Sequence, residues 1–222
     1  MERATQSREL QGLLGLALRP VAIAFRDAPP RGVPRIDRPA PAGCGYWRLA
    51  AEGNLFYTEA PDHYSCPVGA HTHGVELPPE TAKELNAIVQ TMVGLQYIKL
   101  EEIPAIPRRQ GAFGVAVYAP LADAPCEPDV VLVRGTVKQL MLLAEAAQAA
   151  GVAGGGATMG RPTCAVLPEA MVYTGLGDDE GYYAIPGAKV AEVVSKLAVI
   201  TEANRQLEVF HLARRVQNPS VS

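Results

Sequence analysis

Asp129-Val130-Val131-Leu132-Val133 is a nearly continuous apolar run rich in β-branched side chains. A run of this kind reads as a strand buried on both faces, which requires apolar cover above and below its sheet. The residues that follow begin to supply that cover. Thr136 is a good helix cap, and 136–150 carry a helical pattern, so a strand feeds a helix at this point.

Other segments fit the same plan. Leu10, Leu13 and Leu14 share a face of an opening helix that Arg19-Pro20 ends. Val21-Ala22-Ile23-Ala24-Phe25 reads as a strand, and 27–42, with its prolines, as a connecting loop. A helix is expected over 43–53, then a strand Leu55-Phe56-Tyr57-Thr58 leading into a loop around Cys66. Residues 79–92 predict a helix whose stripe is Leu85, Ile88, Val89 and Met92. Residues 112–118 and 182–186 read as strands, and 188–214 as one or two amphipathic helices that pack internally or pair between subunits. The expectation is one domain over 1–222, α/β or α+β, with a mixed central sheet flanked by helices and long functional loops.

Composition removes several functions. Net charge is −3, with acids and bases mixed along the chain, so no basic groove for nucleic acid is expected. No apolar run approaches the ~18 residues of a membrane span, and the polar start is unlike a secretory signal. Four cysteines are too few for a disulfide scaffold. A cytoplasmic protein acting on a small molecule, and able to form a homo-oligomer, fits these features.

Chemistry concentrates at 63–73, where His63, Cys66, His71 and His73 lie in one short window. Thiolate is a nucleophile and metal ligand, and imidazole is a base and metal ligand. On a strand, His71 and His73 would point the same way; on a helix they would point apart. Gly154-Gly155-Gly156 could approach a phosphate, but neither a P-loop nor a dinucleotide signature surrounds it.

Several phrases occur together: Pro20-Val21-Ala22-Ile23; Cys44 with Arg48-Leu49-Ala50-Ala51-Glu52-Gly53; Asp62-His63-Tyr64-Ser65-Cys66-Pro67-Val68-Gly69; Arg161-Pro162-Thr163-Cys164; and Gly177-Asp178-Asp179-Glu180 before Ile185-Pro186-Gly187. Together they resemble the domain-of-unknown-function family 169, the ArCR type, which brings no settled activity. The resemblance implies that Cys44, Cys66 and Cys164 match family cysteines and that Cys126 does not. Relatives tend to carry a longer segment, often with another cysteine, between the positions matching Leu167 and Tyr173. Here Pro168-Glu169-Ala170-Met171-Val172 is abrupt, and a fourth ligand could be lost with that segment.

Three thiolates at Cys44, Cys66 and Cys164 would make an iron–sulfur or zinc site. Their separations of 22 and 98 residues are unlike zinc ribbons or ferredoxin runs, so the fold would have to assemble them. Cys66, His71 and His73 are the candidate catalytic groups, the histidines also serving as candidate fourth ligands. Tyr64, Gly155 and Asp178 are the candidate cofactor-binding residues. Two other readings stay open: a metal-free accessory protein with a pocket lined by Trp47, Phe56, Tyr57 and Tyr64, and a thiol enzyme in which a histidine activates Cys66.

Overall fold

The computed structural model describes residues 2–96, 99, 101, 108–152, 175–177 and 179–217. Gly155, Cys164, Asp178, the glycine run and the segment 168–172 lie outside the described residues.

The first helix, α1 (Arg3–Leu14), buries Leu10 and Leu14. It stops at Gly15, whose φ of 65° is left-handed and whose N–H caps the Gln11 carbonyl. Strand β1 (Val21–Arg26) follows, then α2 (Gly43–Ala51), β2 (Phe56–Thr58), α3 (Pro67–His73) and α4 (Pro79–Gly94). The second half holds β3 (Val115–Pro120), β4 (Val130–Thr136), α5 (Val137–Ala149), β5 (Glu180–Pro186) and α6 (Val190–Gln217).

The five strands form one sheet in the order β2-β3-β1-β4-β5. Among the described residues each strand pairing is antiparallel, and parallel pairing enters only as an isolated bridge between Arg35 and Tyr57. The strand–helix step after β4 is therefore not a parallel crossover. Thr136 pairs with Glu180 and Val130 with Pro186, so the chain re-enters the sheet at the end it left and β5 runs back along β4. Helices plus an antiparallel sheet make this an α+β arrangement.

Alternation along β4 explains its apolar run. Val131 and Val133 enter a core with α1, α5 and α6, while Leu132 enters a second core with Tyr46 and Ala50 of α2. Both faces are covered, as the run of valines requires. On the first face, Leu140 and Leu143 of α5 meet Val193, Val194 and Leu197 of α6. Each such side chain, fully buried, is worth about 1.5–3 kcal/mol.

One helix departs from expectation and another resolves an alternative. The predicted stripe of α4 covers no core: no α4 residue is buried, and Ile88 is 49% exposed. The C-terminal segment is a single helix of 28 residues whose first half packs inside while residues 202–214 are exposed, including Leu207, Phe210 and His211. Among the described residues no helix is long and apolar enough to cross a membrane.

Candidate functional site

The starts of α2 and α3, which carry Cys44 and Cys66, lie side by side. Cys44 is the second residue of α2 and is buried. Cys66 does not lie in an open loop: it is the N-cap of α3, its carbonyl accepting from Ala70 N at 2.8 Å, with Pro67 opening the helix. A Cβ on Gly69 would stand 3.0 Å from the Cys66 sulfur, and one on Gly43, the residue before Cys44, would stand 3.9 Å away. Glycine on both sides therefore leaves the sulfur its space.

Since Pro67–His73 is a helix, His71 and His73 diverge. His71 stays partly exposed; what burial it has, together with the Arg108 charge, lowers its pKa. His73 turns inward. Its Nδ1 lies 2.7 Å from the Gly69 carbonyl and its Nε2 3.2 Å from the Tyr118 hydroxyl. A carbonyl only accepts, so Nδ1 carries the proton and Nε2 takes the Tyr118 O–H. Burial, then the nearby Arg109, hold this ring neutral against the opposing pull of the Gly69 bond.

Behind it sits a polar cluster inside an apolar core. His63 is 1% exposed, with its ring 4.9 Å from that of His73 and 5.4 Å from that of Tyr46. Its Nε2 contacts Thr58 Oγ1 at 2.8 Å, and Thr58 in turn bonds the Tyr118 hydroxyl. His63 Nδ1 is buried without a partner. Burial chiefly, with the neighbouring His73 adding to it and Asp62 opposing, pushes the His63 pKa down to about 3. Tyr46 accepts from Ala40 N and donates to the Asp62 carbonyl at 2.6 Å. Its pKa is pushed up to about 12, by burial first, with Cys66 among the smaller causes; burial likewise raises Tyr118. The Cys66 thiol thus lies within electrostatic reach of both phenols.

Other sequence-based expectations fall differently. Tyr64 is half-buried and lines neither cavity near the site. Trp47 does line one, whereas Phe56 stacks on Tyr118 at 5.4 Å in the core and Tyr57 packs on the opposite sheet face by Val33. Among the described residues no three His, Cys, Asp or Glu side chains are placed to hold a metal ion, so a three-ligand site would draw on Cys164. Sequence reasoning missed Thr58, Tyr118 and Arg109. The signal present was the polar Thr58 at the end of an otherwise apolar strand.

A strap at 108–113 closes one side. Arg109 N donates to Thr72 O at 2.9 Å, and Gly74, with φ 79°, lies so close that a Cβ would stand 2.6 Å from the Arg109 carbonyl. Only glycine permits that approach.

These features define an α+β protein with a cysteine at each of two adjacent helix starts, beside a buried histidine–tyrosine cluster. The chain belongs to the domain-of-unknown-function family 169, described as uncharacterised ArCR, whose model matches residues 9–171. No curated protein and no solved structure matches the chain with significance.

Proposed function

We propose that this protein holds an iron–sulfur cluster, or another metal, through Cys44, Cys66 and Cys164, and uses it in chemistry on a small molecule. The reading rests on one observation: Cys44 and Cys66, 22 residues apart, are brought to adjacent helix starts with glycines flanking the Cys66 sulfur. Cys126, by contrast, packs beside the Val33 and Val117 cluster, on the sheet face away from α2. Cys44, Cys66 and Cys126 are all free thiols, which suits the reducing cytoplasm. A cluster with three thiolate ligands supplies a Lewis-acidic iron to a bound substrate.

His73 has both nitrogens engaged and acts here by positioning α3 rather than as a ligand. His71, at the partly exposed face, remains the candidate fourth ligand. Tyr64, Gly155 and Asp178 belong to this reading as candidate walls. The thiol-enzyme alternative would need His71 as its base, because neither His63 nor His73 offers a nitrogen to Cys66. His73 spends its two on Gly69 and Tyr118, and the second nitrogen of His63 is unpartnered.

The test is substitution followed by iron analysis. Cys44→Ser, Cys66→Ser and Cys164→Ser should each lose iron and visible charge-transfer absorption, while Cys126→Ser keeps both. Full iron retention in any of the first three removes that residue from the site.

A further inference from the structure

A cavity of about 360 Å³ opens on the sheet face between α2 and α3, and neither Cys44 nor Cys66 lines it. That volume falls within the range of small-ligand sites. Ile23 and Phe25 of β1 and Val130 and Leu132 of β4 make an apolar floor, with Trp47 and His73 as walls. His73 adds no free polar atom, since both its nitrogens are already bonded. The Thr72 hydroxyl donates to Gly69 O at 2.9 Å, so charge selectivity falls to the two charged residues at the edge, Asp129 and Arg109.

They are not equivalent. Asp129 accepts from the Phe25 N–H at 2.7 Å and from Arg26 at 2.9 Å, so its charge is matched within the protein. Arg109 has no carboxylate partner among the described residues. Its guanidinium carbon stands 4.6 Å from the Phe25 ring centre and 5.2 Å from that of Phe113, and it donates to Gly111 O at 2.5 Å. Two aromatic rings hold the guanidinium in place and thin the water around it, while the Arg109–Thr72 backbone bond fixes the strap that carries it. A guanidinium held in advance binds a carboxylate with little further ordering.

The geometry points to a binding site for a small carboxylate with an apolar or aromatic body. The body lies on the Ile23, Phe25, Val130 and Leu132 floor beside Trp47, and the carboxylate meets Arg109. No cysteine takes part, so the site stands or falls separately from the cluster.

Trp47 is the chain's single tryptophan and lines the cavity, so its fluorescence reports occupancy directly. The full chain is titrated with phenylacetate, its neutral counterpart phenylacetamide, and phenethylamine. A saturable change with phenylacetate is expected, with the amide about tenfold weaker, as one charge-assisted contact implies, and the amine weaker still. Arg109→Gln should abolish the preference for the acid. Should that variant not fold, the comparison of acid, amide and amine on the natural chain decides alone. Equal affinity for acid and amide, stronger binding of the amine, or no saturation with phenylacetate below roughly 10 mM overturns the assignment.

Discussion

His63 and His73 lie ring to ring at 4.9 Å inside the protein, and each would lose hydration on taking a proton. The unfolded chain protonates its histidines near pH 6.5, whereas native His63 resists until about 3. Below about pH 6.5 the unfolded state therefore binds more protons, and stability falls as pH falls. The unfolding free energy from urea denaturation should be flat above about pH 7 and then decline by up to roughly 1.4 kcal/mol per pH unit from His63, with His73 adding in the same direction. In His63→Gln that slope should shrink. An unchanged slope would mean that His63 titrates normally in the fold. Tyr118→Phe removes the donor to His73 Nε2 and leaves a buried acceptor unmet. The expected loss is about 1–3 kcal/mol by chemical denaturation. The window 63–73 was legible in the sequence as a concentration of reactive groups, but its geometry was not. Asp62 caps the turn before His63 and pairs with Arg35, a residue 27 positions earlier, and such a contact leaves no local mark.

At the scale of elements, periodicity and end signals carried most of the information. The valine run became β4, and Thr136 caps α5 in a reciprocal box with Gln139, whose side chain accepts from Thr136 N at 2.8 Å. Thr136→Ala should cost about 1 kcal/mol, read as a lower urea midpoint with unchanged slope. Gly74→Ala should do something different. Its Cβ would collide with the Arg109 carbonyl, displacing the 108–113 strap while leaving the sheet intact. Faster proteolysis within the strap, with far-ultraviolet circular dichroism preserved, is the expected signature. The reading of 79–92 illustrates the limit of pattern. An amphipathic stripe shows which helix face would be buried, not whether a partner exists, and α4 buries none of its residues. Cys66 was likewise read as part of a loop because Pro67 and Gly69 resemble turn residues. In the fold, Pro67 opens a helix, a position where its missing N–H costs nothing.

For the whole molecule, the sequence carried the class and not the path. Strand order β2-β3-β1-β4-β5 depends on which edges meet, and β2 joins β3 across more than fifty residues of chain. The antiparallel sense of β4 and β5 was hidden because a strand followed by a helix looks the same whichever end of the sheet the chain re-enters. The adjacency of the helix starts that carry Cys44 and Cys66 has the same origin. It comes from α2 packing on β1 and β3 and α3 packing against α2, which no spacing motif encodes. The cluster assignment therefore rests on tertiary placement, and direct chemical assay tests it most plainly. The protein is to be purified without oxygen and its iron and acid-labile sulfide measured per chain. Stoichiometric iron with sulfide is the predicted result. Folded, colourless protein with neither these nor another tightly bound metal would contradict it.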